Sequence, residues 1–378
     1  MYLIKSFAMR AGVERVICDK MNYLAEHGYT VVLVTYEQGN HLPAYQLHPD
    51  IMCHDLDTRF FTLGSYRLFR RFVEYIKMRV LFKERLQCLV NDINPDIIIT
   101  TTYQLKVLDI ILKVRTQAKK IIESHIACYK IKKTTEYGKN VIMRSIVQLY
   151  DNYFLSKINK FEKLIVLTHG DSEEWKRYIN NVVIIPNPLT FYPDDINECK
   201  LHRRIISVGR LQEQKGYDML IQAFLLIADK CVGWKLDIFG EGSDYIYLNQ
   251  MIVDNGLEDS IKINKPTTAI YNEYANSDFY VLSSRYEGYP LVLNEAMSCG
   301  LPCVSFACKY GPEEAIIHGK NGLLVEMGNV EKLSEAIYWM ITHTQERQIM
   351  GQQARILASR YKKEIIMQKW IDLFESFG

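Results

Sequence analysis

Two α/β domains, each a parallel sheet with helices on both faces, are what this 378-residue sequence predicts. Three features carry the prediction. Apolar strand-like runs alternate with helical patterns in one series ending near Ile185 and in a second beginning at Arg204. Runs such as Thr30–Thr35 and Phe279–Ser283 are almost continuously apolar, as in strands covered on both sides, and do not alternate with polar residues. Between the two series stand Pro186-Asn187-Pro188 and the polar stretch Tyr192-Pro193-Asp194-Asp195-Ile196-Asn197-Glu198, which is turn and linker chemistry. The expected division is a first domain over 1–188, rejoined by a C-terminal helix at 362–378, and a second over 189–361. That length suits two domains of roughly 150 residues each.

In the first series Tyr2–Phe7 reads as a strand, Ala8-Met9-Arg10-Ala11-Gly12 as a loop and Val13–His27 as a helix. Val13, Val16, Ile17, Met21 and Leu24 share one face of that helix. Gly28 stops it, and the strand Thr30–Thr35 follows. Further strands are expected at Ile51–His54, Ile97–Thr101, Ile121–Ser124 and Leu164–Leu167, with a last one in Val183–Pro188. The second series places strands at Arg204–Val208, Lys235–Phe239, Ile261–Ile263, Phe279–Ser283 and Pro302–Phe306. Ligands of doubly wound sheets bind beyond the carboxyl ends of the strands, so the loops after strands are where chemistry is sought.

Hydrophobic residues make up 48% and charged residues 24%, the balance of a globular chain with a sizeable core. No apolar run approaches the roughly 20 residues that span a bilayer. The opening Met1–Phe7 lacks the apolar region and cleavage site of a signal peptide. The nine cysteines are odd in number and mostly single residues in apolar segments, such as Cys18, Cys88 and Cys231. They fit reduced core thiols better than a disulfide framework. Cys299, Cys303 and Cys308 lack the close pairs that zinc favours. The cytoplasm is the expected location, with the inner face of the cytoplasmic membrane as a docking surface. Net charge is +2, but residues 1–188 carry 27 Lys and Arg against 19 Asp and Glu, +8, while residues 189–378 carry 19 against 25, −6. An anionic partner is therefore expected on the first half.

The segment Ser207-Val208-Gly209-Arg210-Leu211-Gln212-Glu213-Gln214-Lys215-Gly216 runs from a strand end to a helix start near Tyr217. Backbone N–H groups and the helix dipole favour an anion there, and Arg210 and Lys215 suit a diphosphate. Alone, Arg-x4-Lys equally describes two solvated cations on a loop. A second segment carries more. A buried strand leads to Ser283-Ser284-Arg285-Tyr286-Glu287-Gly288-Tyr289-Pro290-Leu291, Pro290 marks a helix start, and Gly300 ends that helix. Gly288 allows close backbone approach to a ligand. Glu295 lies about one turn into an otherwise apolar helix, where a carboxylate needs a partner; a vicinal ribose diol is one.

The Glu287-x7-Glu295 pattern, with its flanking Gly288, Pro290 and Gly300, resembles the signature of the retaining glycosyltransferases of family 4. Ser207–Gly216 resembles that family's diphosphate loop, and Gly311-Pro312-Glu313-Glu314-Ala315 and Asn321-Gly322-Leu323-Leu324-Val325 follow in its order. The resemblance covers the second half of the chain and, more loosely, the first. It implies the GT-B fold, two Rossmann-like domains facing across a cleft, with the acceptor on the N-terminal domain and a nucleotide sugar on the C-terminal one. It implies that Arg210 and Lys215 hold the donor diphosphate and Glu295 the ribose. Glu287 would hold the transferred sugar, with backbone groups of Gly288, Tyr289, Pro290 and Leu291 around it, and the base would lie near Asn264–Pro266. In the first half Ala11-Gly12-Val13-Glu14-Arg15 resembles the family's glycine loop, with alanine at the first of two positions that are often both glycine. Glu123-Ser124-His125 matches a segment whose histidine faces the donor sugar; an ordinary loop histidine is the alternative. The assigned catalytic set is Glu287, His125, Arg210 and Lys215.

The reaction implied is transfer of a hexose or N-acetylhexosamine from a nucleotide sugar, by family preference a UDP-sugar, with retention and without metal or other cofactor. The family character implies a glycan or polyprenyl-diphosphate-linked acceptor in capsule or O-antigen synthesis. A nucleotide-sugar epimerase of similar architecture and a non-catalytic nucleotide-sugar-binding subunit are the alternatives. A glycosidase, with Glu287 and Glu295 flanking a scissile bond, does not fit one carboxylate on a loop and the other in the next helix. Asp55-Leu56-Asp57 has the Asp-x-Asp form of a metal site but reads as a surface turn. Residues 59–87 mix eight Lys or Arg with Phe60, Phe61, Tyr66, Phe69, Phe72 and Tyr75. Residues 129–163 repeat the mixture, with Lys130, Lys132, Lys133, Lys139 and Arg144 near Tyr129, Tyr137, Tyr150 and Tyr153. No nucleic-acid motif accompanies them, and peripheral contact with anionic lipid is the expectation.

Overall fold

The computed structural model describes the chain except residues 10, 105–106, 132–140 and 195–200 and the side chains of 141 and 142. It divides into two units, Met1–Pro186 with Met367–Gly378, and Asn187–Ile366.

The first unit is built on seven strands: β1 (Tyr2–Leu3), β2 (Val32–Thr35), β3 (Met52–Asp55), β4 (Ile97–Thr101), β5 (Lys119–Glu123), β6 (Lys163–Val166) and β7 (Val182–Ile184). They pair in parallel in the order β3-β2-β1-β4-β5-β6-β7, so the winding reverses between β1 and β4. Between them run α1 (Gly12–Glu26), α2 (Leu68–Ile93), α3 (Leu108–Lys113), α4 (Cys128–Ile131), α5 (Val141–Ile158) and α6 (His169–Trp175). Leu3, Val34, Ile98, Ile122 and Val166 of the strands pack with Phe82, Leu86 and Val90 of α2 and with Trp175. Each such side chain contributes about 1.5–3 kcal/mol by leaving water. Helix α1 buries Val16, Ile17, Met21 and Leu24 at the expected spacing, and also Lys20.

The second unit has β8 (Arg204–Val208), β9 (Lys235–Phe239), β10 (Ile261–Asn264), β11 (Phe279–Leu282), β12 (Cys303–Phe306) and β13 (Gly322–Val325), parallel in the order β10-β9-β8-β11-β12-β13. Its helices are α7 (Tyr217–Leu225), α8 (Tyr245–Asp254), α9 (Ile270–Ala275), α10 (Leu291–Ser298), α11 (Gly311–Ala315), α12 (Val330–Thr342) and α13 (Thr344–Ala358). A last helix, α14 (Lys363–Glu375), leads back into the first unit, where Trp370 is buried. Two sheets of this topology, each doubly wound with the switch beside its first strand, are the α/β fold expected.

Some expectations need correction. The strand β13 falls on a segment read only as a motif. Its Gly322 lies so close to β12 that a Cβ would come within 2.2 Å of the Cys303 carbonyl oxygen. Cys88 is exposed on α2, as is Cys53 on β3, so neither is a core thiol; Cys18 and Cys231 are buried. The start of the presumed linker is fastened down. The Arg355 guanidinium donates to the Asp194 carbonyl at 2.9 Å and lies 4.5 Å from the Tyr192 ring centre, while Asp195–Glu198 fall outside the described residues. Among the described residues no helix is long and apolar enough to cross a membrane.

Candidate functional site

In the second unit β8 and β11 are neighbours on either side of the reversal, so the two segments singled out in the sequence leave adjacent strand ends. That is where a doubly wound sheet offers a crevice. The loops touch because position 216 is glycine. Gly216 has φ +64°, and a Cβ there would sit 2.1 Å from the Ser283 carbonyl oxygen. Ser283 Oγ donates to the Lys215 carbonyl at 2.9 Å, the Arg285 amide donates to the Gln214 carbonyl at 2.8 Å, and Gln214 Nε2 donates to the Tyr286 carbonyl at 3.1 Å. Arg285 then grips both oxygens of Asp218, in the first turn of α7, at 2.9 and 2.6 Å. The two loops form one platform.

At its centre Lys215 Nζ lies 2.5 Å from Glu287 Oε1, and Ser284 Oγ donates to the same oxygen at 2.6 Å. Both ends of this clasp are largely shielded, at 14% and 7% side-chain exposure. Arg210 differs: its side chain is exposed and has no hydrogen-bond or ion-pair partner among the described residues. The platform thus presents one held cation, one uncommitted cation and the amino terminus of α7.

Helix α10 starts after Pro290 with no side-chain cap, leaving its first amides to the loop Gly288-Tyr289-Pro290-Leu291. Tyr289 turns its side chain into the unit. Its hydroxyl donates to the Asn187 carbonyl at 3.3 Å, its ring meets Tyr361 edge-on, and burial pushes its phenol well above the usual range. Glu295 is buried in α10 and accepts from Thr190 Oγ1 at 2.7 Å. The partner that a carboxylate on this apolar helix requires is therefore in part Thr190, which nothing in the sequence marked. Pro266 is exposed in the loop after β10. Asn321 is structural: its side chain accepts from the Ile317 amide at 2.7 Å and donates to the Ala315 carbonyl at 3.0 Å.

In the first unit Gly12 is the exposed first residue of α1, and Arg10 lies outside the described residues. His125 follows β5 with its side chain only 2% exposed. Its Nε2 is 3.2 Å from Glu123 Oε2 but not aligned for a hydrogen bond, and Nδ1 has no partner among the described residues. The same Glu123 oxygen pairs with Lys20, whose ammonium lies 4.4 Å from the Trp370 ring centre and 5.7 Å from that of Tyr2. Burial would raise the Glu123 carboxyl, but Lys20 and then His125 bring it down to about 2. Burial lowers the Lys20 ammonium, and Glu123 opposes that. Glu123 was read with His125 in the sequence, but its pairing with Lys20 was not foreseen. The available signal was a lysine at the spacing of the buried α1 face.

Asp55 accepts from Thr35 Oγ1 and the Gly39 amide, both at 3.0 Å, and Asp57, at φ +47°, pairs with Arg59. Both shape the turn after β3. Among the described residues no three His, Cys, Asp or Glu are grouped to hold a metal. Of the second basic stretch, Lys132, Lys133, Tyr137 and Lys139 lie outside the described residues.

Residues 193–357 match the family model described as Glycosyl transferases group 1. The chain is 26% identical, over 98% of both chains, to an uncharacterized glycosyltransferase of Haemophilus influenzae. It is 27% identical, again over 98% of both, to the amylovoran biosynthesis glycosyltransferase AmsD of Erwinia amylovora. A solved TarM variant of S. aureus, in complex with Fondaparinux, alpha-GlcNAc-glycerol and UDP, superposes with a TM-score of 0.76 at 16% identity over 99% of both chains. That likeness shows the fold, which is GT-B. Together the family match and the relatives support a glycosyltransferase role.

Proposed function

We propose that the chain transfers a hexose or N-acetylhexosamine from a UDP-sugar, with retention of configuration and without a metal, to a glycan or polyprenyl-diphosphate-linked glycan in surface-polysaccharide synthesis. The observation that carries the reading is the Lys215–Glu287 clasp beside the uncommitted Arg210, on adjacent strand ends. A diphosphate arriving there draws Lys215 from Glu287, leaves Glu287 and Ser284 to the hydroxyls of the transferred sugar, and takes Arg210 as its second cation. Glu295 holds the ribose diol, with Thr190 keeping one carboxylate oxygen in place. No protein nucleophile is needed. The bond from the anomeric carbon to the diphosphate oxygen breaks, the acceptor oxygen bonds to that carbon on the same face, and the acceptor proton passes to the leaving diphosphate. Arg210, Lys215 and the helix amino termini stabilise the departing charge.

The relatives' names support a polysaccharide acceptor, and UDP in the TarM complex supports the choice of nucleotide. The first unit supports a lipid-linked acceptor. Along α2, Leu68, Phe69, Phe72, Ile76 and Val80 are exposed, Phe69 at 82%, interleaved with Arg67, Arg70, Arg71 and Lys77. Such a face suits the boundary of an anionic membrane. A panel of nucleotide sugars, read by donor hydrolysis and thermal stabilisation, tests the function: one or a few UDP-sugars stabilise the protein and are hydrolysed in EDTA. Stabilisation by none, or hydrolysis that needs Mn²⁺ or Mg²⁺, overturns the donor or the metal-free reading.

A further inference from the structure

We propose that Lys20 and Glu123 are positioning residues for His125: Glu123, anchored by Lys20, fixes the imidazole with its proton on Nε2, leaving Nδ1 to accept from a sugar hydroxyl. The inference rests on the glycosyltransferase reading above. Glu123 Oε2 is shared between Lys20 and the Nε2 edge of His125. Because the ammonium already compensates the carboxylate, Glu123 orients the ring as an acceptor without standing as an isolated buried charge. The Lys20 side chain, 1% exposed, is enclosed by the Tyr2 and Trp370 rings, so the anchor draws on α1, β1 and α14 together.

A purely structural ion pair is expected to satisfy its surroundings. This one does not. Among the described residues, Glu123 Oε1, both imidazole nitrogens of His125 and the Tyr2 hydroxyl are buried without an aligned hydrogen-bond partner. Each orphaned group is unfavourable by about 1–3 kcal/mol, and such groups around one ion pair point to a partner still to arrive. The unaligned 3.2 Å approach of His125 to Glu123 is the geometry of a catalytic contact that tightens when substrate arrives. A sugar hydroxyl, both donor and acceptor, matches the unused imidazole nitrogen.

The test removes the charges as a pair, so that no lone ion is left inside. In Lys20→Met/Glu123→Leu the ring loses its acceptor; in Lys20→Met/Glu123→Gln an amide oxygen still accepts from Nε2. Ring nitrogen shifts of ¹⁵N-histidine-labelled protein are expected to show the Nε2-protonated form of His125 in the parent and the Gln variant, and its loss in the Leu variant. With the donor identified by the panel, kcat is expected to fall at least tenfold in the Leu variant at little-changed KM, and to recover most of that loss in the Gln variant. If both double variants fold, keep the parent's resonances and turn over alike, the pair is only structural and the proposal is overturned. If the parent turns over no nucleotide sugar while the ring shifts change as described, the function reading fails and the positioning stands.

Discussion

Two of the molecule's Lys–Glu pairs have opposite character. Lys215–Glu287 sits on touching loops, with side chains 14% and 7% exposed and a free Arg210 on the same platform. Lys20–Glu123 is sealed at 1% and 3%, sandwiched by aromatic rings. The chemistry of the two pairs is identical; access differs. An ion pair that an arriving anion can reach exchanges one partner for the other at modest loss, because an ammonium trades a carboxylate for a diphosphate. A sealed pair cannot exchange, and any broken half strands a charge in apolar surroundings. The first is open to an arriving ligand; the second holds its own unit together.

Breaking the sealed pair has the largest expected effect. Lys20→Met leaves the Glu123 carboxylate buried and unpaired and is expected to destabilise by about 3–5 kcal/mol in urea unfolding. Acid sharpens the point. Glu123 titrates near 2 in the folded protein against an ordinary 4.5, so its stabilisation is complete above pH 4.5 and disappears as pH falls towards 2. Unfolding measured across that window is expected to be steeper for the parent than for Lys20→Met/Glu123→Gln; equal slopes would show that the pair is not ionised in the folded state.

The open pair predicts the reverse balance. Lys215→Met is expected to weaken UDP by about 1.5–3 kcal/mol in calorimetric titration, with unfolding shifted by less than in Lys20→Met, because Lys215 is 14% exposed where Lys20 is 1%. An unfolding loss matching that of Lys20→Met would erase the distinction. The smallest effect is expected for Glu287→Gln on UDP itself. On the proposed reading the diphosphate takes Lys215 from Glu287, so removing the carboxylate charge is expected to leave UDP affinity within about threefold of the parent, or tighter, while sugar transfer falls. UDP affinity dropping as far as in Lys215→Met would show that Glu287 serves the nucleotide.

Much of the second unit was legible because its signals are local. Strands β8 and β9 have the bounds expected, Pro290 caps α10, and Gly300, at φ +79°, ends it. The glycines that make the platform possible carry their meaning in sequence, since no other residue fits a positive φ against a carbonyl. What stayed hidden depends on contacts distant in sequence. The clasp joins residues 72 apart, and Glu295 meets Thr190 across 105. Lys20 drew no notice in the sequence although it lies at i+3 and i+4 from Ile17 and Val16, on the buried face; its partner and its covering ring come from β5 and α14. The exposed Cys88 has the converse explanation. On α2 the apolar residues nearly encircle the helix, and only Phe82, Leu86 and Val90 are fully buried.

The route of the chain also bears on the order in which the protein is made. The first unit is interrupted: the chain leaves it at Pro186 and returns only at Met367. During synthesis Lys20 and Glu123 emerge long before Trp370, so their pair waits with one side uncovered while the whole of Asn187–Ile366 is added. Domains usually complete in the order in which they leave the ribosome, the N-terminal one first. Here the unit that begins first is finished last, and the nascent chain carries an unsealed ion pair until α14 arrives to close it.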